Sequence, residues 1–444
     1  MNKGVFSKNN WLVLILFGLI GQIAWAVENM YFNLFVFETF PPNLDAITLM
    51  VQLSGVVATV ITLVCGTLSD RLGQRRRFIS IGYIIWGVTV GLFGFITPEL
   101  FETLFGLEPV RAAAVGIGVI IAGDCVMTLF GSCANDAAFN AWVTDNTDEE
   151  NRTKIEGVLS TFPLIAMLIV AGGFGIIAAI TGYKLLFLGL GVVIIASGVL
   201  GLFVVKDSPE LRPSGSMKDI FYGFSPKRVM ENKPFYVCLL IIVVYGIACQ
   251  IFLPYMIIYM REYLGFTDIE YSVVFGGAIA VGAVINILVT RIAEKFNKIT
   301  LYYVAAAIMS AGLFAMYFAK GMDKMLNLVF FGISGLVMIT GYILVAALTG
   351  STLRDYTPEG VAGKLQGVRM VFSVLIPMLA GPFIGNSINK AMNIPLSNPE
   401  SADVMTTAYV PAPEIFLAAA ICSAIMLGLI PLLSHVINKE KKIF

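Results

Sequence analysis

Six residues near the N-terminus, Gln22, Trp25, Glu28, Asn29, Phe32 and Asn33, recur at steps of three and four. That spacing gathers side chains onto one face of a helix. The tryptophan offers a flat apolar face of the kind that packs against a sugar ring, while Gln22, Asn29 and Asn33 each donate and accept hydrogen bonds. Glu28 is a candidate proton carrier, because a carboxyl group taken out of water binds its proton more firmly. The alternative for Glu28 is an ion pair with an Arg or Lys on a neighbouring helix. A second series, Asp124, Thr128, Ser132 and Asn135, has near-helical spacing. Asp124 is the second candidate proton carrier, or else a structural hydrogen bonder, and Thr128 is a candidate substrate contact. Later in the chain, Tyr245, Gln250, Tyr255, Asn286 and Tyr342 are further candidate contacts. Gln250 followed by Pro254 predicts a locally broken helix whose freed carbonyls face a cavity. For each tyrosine taken alone, core packing or an interfacial belt outweighs a substrate contact.

The elements that carry these residues are membrane spans. Of the 444 residues, 58% are hydrophobic and 13% charged, whereas soluble domains carry about 45–50% apolar and about 25% charged residues. A span needs about 20 mostly apolar residues to cross about 30 Å of hydrocarbon. Twelve stretches qualify: 11–38, 46–68, 78–97, 111–140, 155–181, 183–205, 235–262, 270–291, 299–319, 325–350, 361–388 and 413–437. They are long and lack sustained period-2 alternation, so they predict helices and not barrel strands. Asp124 stands 13 residues beyond Arg111, about 20 Å along a helix and so within the hydrocarbon. Ala24-Trp25-Ala26 resembles a signal-peptidase site, but the apolar run continues past it, and the first helix is kept in the mature chain.

Basic residues give the orientation. With the N-terminus inside, cytoplasmic segments hold 22 of the 29 Lys and Arg and outer loops hold 6, which places both termini in the cytoplasm of a cell-membrane protein. Lys plus Arg equals Asp plus Glu at 29 each, removing the case for nucleic-acid binding. One histidine (His435) and six cysteines without CxxC spacing argue against zinc, haem or iron–sulfur chemistry, and the cysteines sit in apolar runs where a disulfide framework is not expected.

The longest cytoplasmic break, 206–234, contains Pro209, Pro213, Pro226 and Pro234 and divides the spans six and six. The predicted organisation is an N-terminal half (1–205), this linker with a short surface helix around Met217–Phe224, and a C-terminal half (235–444). A second long break, about 389–412, is extracellular and holds Pro395, Pro399, Pro411 and Pro413. An internal repeat supports the division: a shift of 210 places Asp145, Thr147, Glu149, Lys154, Gly157, Val158 and Gly175 on Asp355, Thr357, Glu359, Lys364, Gly367, Val368 and Gly385. Two parallel six-helix halves place binding between them near the midplane. Spans 3, 6, 9 and 12 are nearly free of charge in their middles, while 1, 4, 5, 7, 8, 10 and 11 carry the polar groups, which predicts an inner, cavity-lining set. At the cytoplasmic ends, Asp70 (with Arg71 beside it), Asp136 and Glu156 are candidate gate partners for Arg369. Asp136 alternatively makes a loop contact, and Arg369 alternatively snorkels to the inner surface.

After the second span comes Gly66-Thr67-Leu68-Ser69-Asp70-Arg71-Leu72-Gly73-Gln74-Arg75-Arg76-Arg77. Asp70 at a helix C-terminus opposes the helix dipole, which predicts a partner such as an arginine or a facing helix N-terminus. The loop resembles the signature of the major facilitator superfamily, with Gln74 where that signature usually has a basic residue. Thr144-Asp145-Asn146-Thr147-Asp148-Glu149-Glu150-Asn151-Arg152-Thr153, and Arg354-Asp355-Tyr356-Thr357-Pro358-Glu359 through Gly363-Lys364-Leu365-Gln366-Gly367, resemble the corresponding loops of the glycoside–pentoside–hexuronide:cation symporters.

The resemblance implies an all-α membrane protein of twelve transmembrane helices in two parallel six-helix halves. It also implies a monomeric secondary active transporter of a sugar or glycoside that works by alternating access. Proton-coupled sucrose-type relatives of that group likewise carry an acid on helix 4, so Asp124 resembles a protonation site. Sodium-coupled members carry aspartates on helix 2, whereas residues 46–68 here hold no acid and offer Thr48, Gln52, Ser54, Thr59 and Thr62. The expected coupling ion is therefore H+ and not Na+, with no other cofactor. The alternative function is a proton-coupled exporter of amphipathic organic compounds. A GxxxxGK[ST] pattern is absent from the sequence, as is any nucleophile–base motif, so neither ATP hydrolysis nor an enzyme is expected.

Overall fold

The computed structural model describes residues 6–147, 151–209, 211, 217–293, 296–358, 362–396 and 408–440. The repeat members Glu149 and Glu359, and the loop prolines Pro213 and Pro399, lie outside the described residues. Eleven helical stretches are long and apolar enough to cross a membrane. The first four are α1 (Lys8–Thr39), α2 (Leu44–Leu72), α3 (Arg76–Phe93) and α4 (Pro109–Asp145). The fifth, Lys154–Val204, has 51 residues, and a straight helix of that length would run about 77 Å, more than twice the hydrocarbon thickness.

It does not run straight. Gly182 interrupts it at φ 74 and ψ 164, a region that a residue with a Cβ enters at a penalty. Before the break, α5 (154–181) runs parallel to α1, with Gly18 against Phe162 and the Tyr31 ring near Phe174. After it, α6 (183–204) runs antiparallel to α3, with Gly94 against Lys184, Gly87 against Gly191 and Gly201 against Ser80. The chain reverses at Gly182, and the spans number twelve.

The remaining spans are α7 (Lys233–Tyr263), α8 (Asp268–Leu288), α9 (Lys298–Met316), α10 (Lys324–Asp355), α11 (Leu365–Met392) and α12 (Glu414–Lys439). Here α7 runs parallel to α11, with Gly246 against Pro377 and Gln250 against Gly381, as α1 does to α5. Helix α9 packs antiparallel to α10 through Gly312–Met338 and Met309–Gly341, and Ser310 joins it to Ser423 of α12 at 2.7 Å. Starts are capped where the sequence supplies an acceptor: Ser7 for α1, Asn43 for α2 and Asn297 for α9. A 3-10 segment covers Met217–Phe224. Helix α11 outlasts its predicted end at 388 by one turn, because Asn389 Oδ1 accepts from the Ala412 amide at 2.9 Å and anchors the returning chain. Ile394–Pro395 then pairs antiparallel with Tyr409–Val410.

The chain forms two compact units, Met1–Asp219 and Ile220–Glu400 with Thr407–Phe444. Five π-helical turns widen the spans: Glu28–Phe32 in α1, Ser132–Phe139 in α4, Val170–Phe174 in α5, Tyr259–Tyr263 in α7 and Val371–Leu375 in α11. All five fall in spans predicted to line a cavity, and such turns are frequent at functional sites.

Candidate functional site

In the first unit α1 and α4 form an antiparallel seam. Glu28 faces Thr128, Trp25 faces Gly131 and Gly21 faces Asn135. Glycine at position 21 allows this approach, since a Cβ there would lie 2.2 Å from Asn135 Nδ2. The floor of the seam is polar but closed. Tyr83 donates to the Phe17 carbonyl at 2.6 Å and Asn135 Nδ2 donates to Tyr83 at 2.7 Å.

Above that floor lies the chemically open part. Thr128 Oγ1 lies within hydrogen-bond distance of Glu28 Oε1 at 3.3 Å and of Ser54 Oγ at 3.1 Å, and Ser54 Oγ is in turn hydrogen-bonded to Asp124 Oδ2. Three helices thus meet in one row of oxygens: Glu28 from α1, Thr128 and Asp124 from α4, and Ser54 from α2. Asp124 is 2% exposed, Thr128 1% and Ser54 3%, while Glu28 is half-buried. Among the described residues neither acid has an ion pair, and Glu28 Oε2 and Asp124 Oδ1 are buried without a hydrogen-bond partner. The alternative of a basic partner for Glu28 is replaced by a threonine hydroxyl.

The other predicted contacts fare unequally. Trp25 is half-buried, with its ring tilted against Trp86 at 5.0 Å, so one flank is covered and its Nε1 has no acceptor. Gln22 is half-buried on the same helix. Asn29 is exposed and donates to the Trp25 carbonyl at 2.8 Å; Asn33 is buried and donates to the Asn29 carbonyl at 3.2 Å. Their amide nitrogens are thus engaged along the widened turn of their own helix. Asp136 sits inside α4, within the predicted span, beside Ser132 and Trp25 and below the Glu28 row.

In the second unit, Tyr245 donates to the Tyr342 carbonyl at 3.4 Å, and the two half-buried rings lie 5.3 Å apart. Asn286 on α8 and Gln250 on α7 are half-buried. The predicted break follows Gln250: α7 tightens into a 3-10 turn at Leu253–Tyr255, since Pro254 has no amide to donate. Tyr255 requires a correction. It is fully buried and donates to the Pro382 carbonyl at 3.0 Å, so it is a packing residue between α7 and α11 and not a surface for a solute.

At the loop end of the first unit, Asp70 finds its partner within its own motif. Arg75 binds Asp70, Ser69 Oγ at 2.6 Å and Asp145 Oδ2 at 2.8 Å. The Asp207 carboxylate accepts from the backbone amides of Arg75 and Arg76, at 2.9 and 2.8 Å. Burial weakens the hold of the Arg75 guanidinium on its proton, but the bonds to Asp145 and Asp70 outweigh it and push the group above its ordinary value. Arg71 is exposed, and Glu156 and Arg369 are half-buried on α5 and α11. The sequence offers Arg75 only as one of the basic residues that hold the turn at the inner face, and Ser54 as one polar residue among five on its helix.

Twelve spans in two units, one of them holding two acids with no ion pair among the described residues, fit a membrane transport protein. The chain belongs to the Major Facilitator Superfamily, whose model matches residues 6–382. No curated protein sequence matches it. Among solved structures it is similar to the nucleoside transporter NupG, crystallised as a mutant, at 11% identity and TM-score 0.66 over 95% of this chain and 99% of that one. It is also similar to a bacterial homolog of the human lysosomal transporter Spinster, in an inward-facing and unoccupied conformation, at 14% identity and TM-score 0.69 over 98% and 99%. At these identities the likeness carries the fold.

Proposed function

We propose that this transporter is a symporter that accumulates a sugar or glycoside with protons by alternating access, and that Glu28 and Asp124 carry the coupling proton. The observation behind this reading is the hydroxyl-linked pair of acids, set in a span interior with no cation among the described residues. Two carboxylates in such a place repel without solvent to screen them, so the protonation of one depends on the other. Acids that trade protons with the surrounding water as the site opens to each side supply what a proton-driven carrier needs. The cargo class rests on Trp25 and the amides of Gln22, Asn29 and Asn33, which combine ring packing with hydroxyl recognition, and on the resemblance of the loops at 144–153 and 354–367. In this reading the termini face the cytoplasm. Nucleosides, the solutes named for NupG, are themselves glycosides and belong in the screen.

The test is uptake into proteoliposomes under an imposed pH gradient, with radiolabelled sugars, glycosides and nucleosides in turn. The expected result is uphill uptake driven by inward protons and indifferent to sodium. Strict sodium dependence at a fixed pH gradient would overturn proton coupling. Proton-driven efflux of amphipathic compounds, with no sugar or glycoside accepted, would overturn the cargo and favour the exporter.

A further inference from the structure

We infer that Glu28, Thr128, Ser54 and Asp124 form a wire that holds one proton and passes it between α1 and α4 by reversing its hydrogen bonds. The inference rests on the proton-coupled reading for its purpose, but its physical basis is a count of hydrogens. The row has three contacts: Glu28 Oε1 to Thr128, Thr128 to Ser54, and Ser54 to Asp124 Oδ2. Each hydroxyl carries one hydrogen, so the two hydroxyls fill two contacts. With both acids ionised, Thr128 would point to Glu28 and Ser54 to Asp124, leaving two lone pairs opposed at 3.1 Å. One carboxyl proton completes the row.

That proton has two homes. On Glu28, it is donated to Thr128, which donates to Ser54, which donates to Asp124. On Asp124, every arrow points the other way. Transfer breaks the Glu28 O–H bond as its proton joins Thr128 Oγ1. The Thr128 proton joins Ser54 Oγ, and the Ser54 proton joins Asp124 Oδ2. Three O–H bonds break, three form, and the single negative charge moves from Asp124 to Glu28 with no other reactant. Glu28, half-buried as a residue but with Oε2 buried, is the end that exchanges when the seam opens, and Asp124, 2% exposed, is the store.

A structural reading of the two hydroxyls does not fit their direction. Hydroxyls in helices ordinarily bond back to the carbonyl four residues earlier. On α2, Thr48, Thr59 and Thr67 do so, at 2.6, 2.9 and 2.9 Å. Ser54 and Thr128 instead face each other and the acids. Because the wire draws on three helices, relative movement of α1, α2 and α4 makes or breaks it, which ties the proton's location to their packing.

Infrared spectroscopy of the purified full chain in detergent near neutral pH tests this without a substrate. The expected difference between the parent spectrum and that of the Glu28→Gln/Asp124→Asn double variant is carboxylic-acid absorption equivalent to one group, Asp136, which also faces Glu28 from α4, being present in both. Ser54→Ala should displace that absorption, and Ser54→Thr should return it. Thr128→Val, nearly the same shape as threonine, should displace it too, and it carries the test if Ser54→Ala does not fold. Absorption from neither acid, or from both in full, overturns the one-proton wire, as does a band unmoved by both Ser54→Ala and Thr128→Val. Failure of the proton-coupled reading shows separately, as vesicle uptake indifferent to the pH gradient while the infrared signature persists.

Discussion

Arg75 Nε and Asp145 Oδ2 lie 2.8 Å apart although 70 positions separate them in the chain. Arg75 is 3% exposed and its remaining nitrogens are held by Asp70 and Ser69, so the α2–α3 turn is locked to the end of α4. The second unit repeats the contact. Asp355, which the 210-residue shift pairs with Asp145, accepts from Lys298 Nζ at 2.7 Å at the α8–α9 turn. Burial separates the two. Lys298 and Asp355 side chains are 33% and 57% exposed, and ion pairs of that kind contribute about 0–1 kcal/mol.

Arg75→Ala is therefore expected to destabilise the protein by about 1–3 kcal/mol, because it takes the partner from Asp145 and Asp70, whose side chains at 21% and 42% exposure remain partly screened by water. Lys298→Ala should change stability by about 1 kcal/mol or less. Arg75→Lys should recover part of the loss, since a single ammonium cannot reproduce a guanidinium that binds in three directions. Thermal unfolding of the three variants in detergent measures the contrast, and equal midpoints for Arg75→Ala and Lys298→Ala would refute it.

Coupling and recognition should separate within the first unit. Asp124→Asn keeps the side chain's shape but has no proton to release, so solute should equilibrate across the vesicle membrane without accumulating. Asn29→Ala should weaken solute binding by about 5- to 150-fold, the effect of about 1–3 kcal/mol for losing a hydrogen bond that bound solute would cover at this exposed amide, with the pH response intact. Binding by calorimetry and concentrative uptake are the two measurements. Normal accumulation by Asp124→Asn would shift the coupling role to Glu28 and make Glu28→Gln the deciding variant.

The spans and their polar faces were legible in the sequence because the bilayer imposes length and apolarity on each helix separately. Gln22 to Asn33 follow one periodicity in the sequence, but the π turn at Glu28–Phe32 shifts that register, leaving Asn29 exposed and Asn33 buried. What escaped was contact between helices. Ser54 looks like any span serine, and its partner Asp124 stands 70 positions away. Asp136 falls within the predicted span, but its contact with Trp25 across the seam joins two helices whose facing no single-helix pattern reveals. Tyr255 shares a helix with genuine cavity candidates, and only the close approach of Gly385 to it and to Ile251 reveals that it faces α11.

Tyr255→Phe follows from that correction. It removes one hydroxyl that donates to the Pro382 carbonyl and leaves the ring in place. Stability should fall by about 1 kcal/mol, while the solute concentration for half-maximal uptake stays unchanged. Weaker apparent affinity at unchanged stability would restore Tyr255 to the binding surface.

The α1–α4 seam offers a test of coupling between packing and the acid row. Asn135 Nδ2 donates to Tyr83, and Tyr83 donates to the Phe17 carbonyl, directly beneath Gly21. A methyl group at Gly21 would meet Asn135 Nδ2 at 2.2 Å and Tyr83 at 2.6 Å, so the helices must part. Gly21→Ala alone should destabilise the protein by about 1–3 kcal/mol through overpacking and draw Glu28 away from Thr128, with coupled uptake falling as a result. Asn135→Ala alone should also destabilise, because Tyr83 loses a donor in a buried site. In the double variant the two methyl groups occupy space vacated by the amide, so the combined loss should be smaller than the sum, with an interaction of about 0.5–3 kcal/mol. Uptake driven by the pH gradient should recover alongside stability. Strict additivity in unfolding, or recovery of stability without recovery of uptake, would mean that the seam's spacing does not govern the row above it.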